Sequence, residues 1–155
     1  MHTSCCCGLA IPFNDCCGKY IYGSALPTTA EQLMRSRYSA YVKNTPVYLM
    51  ATHHPDFSAD LNEALIAETA ANTQWLRLEI ISSQGDEDSL TGTVEFKAWF
   101  QDGENESSLH ERANFIFQDQ HWFYTHGELN PVPIKQGRND LCLCGSKKKY
   151  KKCCG

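Results

Sequence analysis

The same cysteine spacing stands at both ends of the chain, and no other feature restricts its folding as much. Cys5, Cys7, Cys16 and Cys17 read C-x-C-x8-C-C, and so do Cys142, Cys144, Cys153 and Cys154. Zinc takes four ligands in a tetrahedron with zinc–sulfur bonds of about 2.3 Å. A C-x-C pair reaches one ion if the intervening residue turns, and Gly8 and Gly145, which follow the two pairs, permit the positive φ that such a turn often needs. Disulfides are the competing chemistry. Adjacent residues on a trans peptide have Cα atoms about 3.8 Å apart, below the usual disulfide range, so neither C-C pair bridges internally without strain. Bridges from a C-x-C pair to a C-C pair remain sterically open and require an oxidising compartment. The opening stretch from Met1 to Cys7 has neither the basic region nor the apolar run of an export signal, so a cytoplasmic location is expected. Cysteine-rich modules there point to metal. The expectation is two zinc ions, held by the eight cysteines just named. Cys6, the odd thiol of nine, is read as a free surface cysteine or an exchangeable ligand.

The C-terminal copy runs Arg138-Asn139-Asp140-Leu141-Cys142-Leu143-Cys144-Gly145-Ser146-Lys147-Lys148-Lys149-Tyr150-Lys151-Lys152-Cys153-Cys154-Gly155. It resembles the SEC-C motif, the zinc-binding tail of the preprotein translocase ATPase SecA, which is found in many other bacterial proteins. Leu141 and Leu143 stand where that motif has prolines, and Lys147 where it has a loop glycine; the four ligand positions are intact. These ends, with Leu33-Met34-Arg35-Ser36-Arg37-Tyr38-Ser39-Ala40-Tyr41-Val42 between them, resemble the bacterial YchJ family over essentially the whole chain. The resemblance implies a middle domain of nuclear transport factor 2-like (cystatin-like) fold, a curved antiparallel sheet cupped around helices with a pocket at its open end. The expected organisation is a zinc module at 1–23, the middle domain at 24–130, and a linker with the second module at 131–155.

Apolar and aromatic content are those of a soluble globular protein, and no apolar run approaches membrane length. The net charge of −4 is unevenly spread: positions 135–155 hold seven Lys and Arg against one Asp, a charge of +6, leaving −10 for the rest. Lys147, Lys148, Lys149, Lys151 and Lys152 crowd the C-terminal loop and favour anionic partners. By analogy with the SecA tail, the chaperone SecB or the ribosome is the expected class of partner. The alternative is that these lysines keep the loop soluble and offset thiolate charge. Nucleic acid is a weaker reading, because Tyr150 alone pairs an aromatic with the basic loop.

The body reads as helices followed by strands. Thr28-x-x-Glu31 and Thr29-x-x-Gln32 are candidate capping boxes, and Met34, Tyr38, Tyr41 and Val42 form an apolar stripe behind them. Thr45 and Pro46 start a short second helix, and a third is expected over 59–72 with Leu61, Leu65 and Glu68/Thr69 on one side and Asp60 near its positive end. Alternation predicts strands over 75–82, 91–101, 108–118 and 121–126 with short turns between them. Three helices and four consecutive strands argue for an α+β fold with an antiparallel meander. In the N-terminal module, Ile11 or Phe13 is expected to dock on the body, and the loop carries no base to help its thiolates.

Arg35, Arg37, Tyr38, Tyr41, Glu111 and Trp122 are the candidate pocket residues. Glu111 falls on the apolar face of its strand, where an acid needs a partner, and Arg35 or Arg37 is expected to supply one. His53, His54 and His110 are read as surface or helix-end histidines, and Trp122 and Tyr124 first as core packing. No nucleophile elbow, Gly-rich phosphate loop or helical H-E-x-x-H occurs, so the sequence names no catalytic residue. The preferred function is an adaptor that contacts acidic partners through the basic C-terminal motif; the alternative is a protein or enzyme that binds a small molecule in a pocket of the body.

Overall fold

The computed structural model describes residues 4–131. Helices α1 (Cys17–Ile21), α2 (Ala30–Lys43), α3 (Pro46–Ala51) and α4 (Glu63–Asn72) precede strands β1 (Trp75–Gln84), β2 (Thr91–Asp102), β3 (Asn105–Gln118) and β4 (His121–Leu129). The strands pair antiparallel in chain order, β1-β2-β3-β4, so the expected meander is present. Among the described residues no helix is long and apolar enough to cross a membrane.

The fold is organised by α2, which touches β1, β2 and β4 as well as α1, α3 and α4. Its start uses the second of the two capping candidates. The Thr29 hydroxyl accepts from the Gln32 N–H at 3.1 Å, and Gln32 Oε1 takes the Thr28 N–H at 2.8 Å. Asn44 ends the helix in the left-handed conformation, φ 53°. Its buried surface is wider than the expected stripe. Met34 and Tyr38 are buried, Val42 is exposed, and Leu33, Arg37 and Ala40 form a second buried row. The helix lies between the sheet and the α3–α4 pair, so one stripe does not satisfy both neighbours: Ala40 packs with Leu49 and Ile66 in a small second core.

Helix α4 begins later than expected, at Glu63, because Asn62 supplies the cap by accepting the Leu65 N–H at 2.9 Å. The helix buries Ile66, packed with Ala40 and Leu49, and Ala70, which leaves Leu65 exposed. Beyond α3 the chain runs beside β4. The Tyr124 N–H donates to the Thr52 carbonyl and the His54 N–H to the Tyr124 carbonyl, both at 2.8 Å, which covers the outer edge of the sheet. His53 and His54 are therefore buried, contrary to the surface placement expected for them.

Val94, Phe96 and Ala98 of β2 and Ala113 and Phe115 of β3 form the inner face of the sheet. Irregular pairing near Trp75/Arg77 turns Trp75, rather than Leu76, towards the core beside Leu78 and Ile80. Asp119 and Gln120 turn β3 into β4 with positive φ at both positions, the geometry of a tight hairpin.

Candidate metal centre and ligand cavity

In the N-terminal module the loop is closed by the Cys5 N–H donating to the Ile11 carbonyl at 2.7 Å. Gly8 turns the chain after the C-x-C pair with φ 102°, and a 3-10 turn at Phe13–Asp15 brings the C-C pair beneath it. The sulfurs of Cys5, Cys7, Cys16 and Cys17 all lie within 4.8 Å of one another, and all four residues are buried. None is in a disulfide. The Cys7 and Cys16 sulfurs are 3.7 Å apart, against an edge of about 3.8 Å for a tetrahedron with zinc–sulfur bonds of about 2.3 Å. Donor type, number and spacing thus fit a thiolate-bound metal. A hydrogen bond from the Cys17 thiol, ahead of other effects, lowers the Cys7 pKa to about 5. Burial foremost pushes Cys16 up to about 12, and the bond to Cys7 raises Cys17.

The module is part of the main core and not an appendage, since its cysteines pack in one cluster with Met34, Tyr38 and Phe96. Phe13 docks as expected, whereas Ile11 is exposed. The expected lack of cationic help is corrected by the packing. Arg35 donates to the Cys7 carbonyl at 2.7 Å and to Glu31 at 2.9 Å, and the Lys43 amino group stands 4.8 Å over the Phe13 ring. These bases belong to α2 and not to the loop. Cys6 is a free thiol, as expected, but half-buried rather than on the surface: its S–H donates to the Ser39 hydroxyl at 3.2 Å. Cys142, Cys144, Cys153 and Cys154, with Lys147, Lys148, Lys149, Lys151 and Lys152, lie outside the described residues.

Between α2 and the sheet is a cavity of about 400 Å³ with a mainly apolar wall that includes Met34, Trp75, Phe96, Ala98 and Leu109. Arg37, Tyr38, Tyr41 and Glu111 line it, as do His53 and Tyr124. The Arg37 guanidinium is buried, donates through Nη1 to the Leu49 carbonyl at 2.9 Å and the Thr52 hydroxyl at 2.6 Å, and stands 4.8 Å over the Tyr124 ring. Burial lowers its pKa, against the pull of nearby Tyr41, Tyr124, Tyr48 and Glu111.

The Tyr124 hydroxyl donates to Glu111 Oε2 at 3.2 Å. Burial raises the Glu111 pKa, and that bond and Arg37 oppose the rise. Gly127 makes the arrangement possible, because a Cβ there would run into the Glu111 carboxylate. His53 donates from Nε2 to the Phe57 carbonyl at 2.9 Å and meets the Tyr124 ring edge-on. Burial first, then Arg37, lowers its pKa, so the ring is neutral at neutral pH.

Two candidate pocket residues are elsewhere. Arg35 faces the cysteine module, and Trp122 is buried against Phe117, away from the cavity. The expected Arg35–Glu111 or Arg37–Glu111 ion pair does not form: Arg35 pairs with Glu31, and Tyr124 connects Arg37 to Glu111. Sequence reasoning missed His53, Trp75 and Tyr124 as cavity residues. For Tyr124 a signal existed, since alternation from Trp122 puts it on the inner face of β4. The paired phenol, carboxyl and guanidinium equip this space to bind and orient a polar molecule on an apolar floor.

The family model described as YchJ, middle NTF2-like domain matches residues 29–127, and the SEC-C motif matches residues 138–155. A UPF0225 protein of Photorhabdus laumondii is 44% identical, with 100% of both chains covered. Another, of Geobacter sulfurreducens, is 43% identical over 100% of this chain and 99% of its own. Among solved structures, a SEC-C motif containing protein of Rhodopseudomonas palustris superposes with a TM-score of 0.75 at 31% identity, over 81% of this chain and 98% of its own. One from Psychrobacter arcticus gives 0.72 at 28% identity, over 99% and 96%.

Proposed function

Because the chain belongs to the YchJ family of UPF0225 proteins, with its NTF2-like middle domain and SEC-C motif, we propose that it is a cytoplasmic zinc protein whose middle domain binds a small molecule. The observation that carries this is the cavity itself: about 400 Å³ of space, apolar-walled, with a buried guanidinium and a carboxyl on its lining. Ligand pockets commonly start at about 300 Å³ and combine an apolar lining with a few placed polar groups. Zinc held by Cys5, Cys7, Cys16 and Cys17 would neutralise thiolate charge and clamp the loop against α2; its role there is structural. Filling the space tests the reading. Ala98→Phe places a ring in the cavity from β2, and native mass spectrometry of protein taken from cells compares small-molecule adducts. Adducts present on the parent and lost from Ala98→Phe support ligand binding; identical spectra refute it.

The SEC-C match over residues 138–155 favours a second reading. Its basic loop would dock an acidic protein surface, with SecB and the ribosome as the analogous partners. Reversing Lys147, Lys148, Lys149, Lys151 and Lys152 to Glu should release salt-sensitive partners in a pull-down. An unchanged set of partners sinks the adaptor.

A further inference from the structure

The cavity carries two ionisable groups that the protein does not pair with each other. Arg37 is 6% exposed, and its Nη1 partners, the Leu49 carbonyl and the Thr52 hydroxyl, are both neutral. Its Nε and Nη2 make no hydrogen bond among the described residues. A buried guanidinium without an anion is expensive. Glu111 accepts from Tyr124 at Oε2, and Oε1 accepts nothing among the described residues. Both groups touch the same side chain: the guanidinium covers the Tyr124 ring, and the carboxyl accepts the hydrogen bond from its hydroxyl. They are neighbours out of contact, flanked by the apolar surfaces of Phe96 and Leu109 and by Trp75. The Trp75 indole N–H is buried and has no hydrogen-bond partner among the described residues.

We infer that the cavity takes a small zwitterion with an apolar side group, a molecule of the free amino-acid type, its carboxylate on Arg37 and its ammonium on Glu111. The inference rests on the small-molecule reading above and specifies the ligand. A simple carboxylate would satisfy Arg37 but add a second negative charge beside Glu111. A simple amine would satisfy Glu111 and leave Arg37 without an anion. A zwitterion completes both ends at once, and an apolar substituent suits the Phe96 and Leu109 walls. Burial raises the Glu111 pKa in the free protein, and an ammonium beside the carboxylate opposes that rise.

The test uses nitrogen-15-labelled full-length protein and its three tryptophan indole N–H signals, of which Trp75 lines the cavity and Trp99 and Trp122 do not. The probes are L-phenylalanine, phenylacetate, phenethylamine and toluene. L-phenylalanine should move the Trp75 signal and leave the other two in place. Phenylacetate and phenethylamine should each bind about tenfold more weakly, the loss of one charge-assisted contact. Glu111→Gln, isosteric and uncharged, should weaken L-phenylalanine about tenfold and leave phenylacetate unweakened. A singly charged probe that binds as well as L-phenylalanine, or a Glu111→Gln protein that binds it unchanged, overturns the inference. If toluene shifts Trp75 and L-phenylalanine does not, the zwitterion is wrong and the small-molecule reading stands. If no probe shifts Trp75, both fall.

Discussion

Replacing Tyr124 by Phe removes a single oxygen from the cavity and keeps the ring. The ring's contacts with Arg37 at 4.8 Å, His53 at 5.0 Å and Phe115 at 5.7 Å survive, so the change isolates the bond to Glu111 Oε2. A hydrogen bond to an ionised carboxylate contributes about 1.5–3 kcal/mol. At 3.2 Å the bond is longer than the O–H···O⁻ optimum of about 2.5–2.7 Å, which favours the lower end, about 1.5 kcal/mol. For a chain of this size that is a fall of about 3–6 °C in Tm. The pH dependence gives the stricter test. Burial, the largest effect, places the folded-state pKa of Glu111 above its unfolded value. The folded protein therefore holds the proton more tightly, and stability falls as pH rises from the unfolded value through the raised one. Tyr124→Phe removes a group that favours the carboxylate, so its stability should fall more steeply over that interval. The difference from the parent should be largest at pH 8 and shrink at pH 4, where a neutral carboxyl loses only an ordinary hydrogen bond. Urea unfolding followed by tryptophan fluorescence at both pH values measures it, and thiol protonation cancels in the comparison. A difference below about 0.5 kcal/mol at pH 8, or one equal at both pH values, refutes the assigned bond.

Gly127→Ala should destabilise by about 1–3 kcal/mol, because the new Cβ overlaps the Glu111 carboxylate. Adding Glu111→Ala should recover much of that loss in urea unfolding, which separates the clash from a backbone effect. Cys7→Ser, in a fully buried position, should lose one bound metal equivalent by elemental analysis. Its Tm should fall by more than about 5 °C, since metal binding free energy is folding free energy. Thr29→Ala removes the cap that holds the Gln32 N–H and should cost about 1 kcal/mol in the same assay, with metal content unchanged.

Local chemistry was readable from the chain alone. Thiol spacing, the Thr29 cap, the Asp119-Gln120 turn and the strand alternation are relations between residues a few positions apart, and the structure places the strands within a few residues of where alternation predicts them. Asn62 illustrates the limit: it caps α4 at Glu63, four residues beyond the start expected at 59. The fates of Arg35 and Arg37 show what required the tertiary structure. Two residues apart on a helix is a rotation of about 200°, so the sequence already made them diverge. It did not say that one would face the cysteine module and the other the cavity, since that depends on how α2 is rotated between the sheet and α3. The same holds for Cys6 against Ser39, and for His53 and Tyr124 joining Glu111 across the cavity. These contacts join positions far apart in the chain. Their partners are selected by the burial of whole faces, a free energy that no short window of sequence contains.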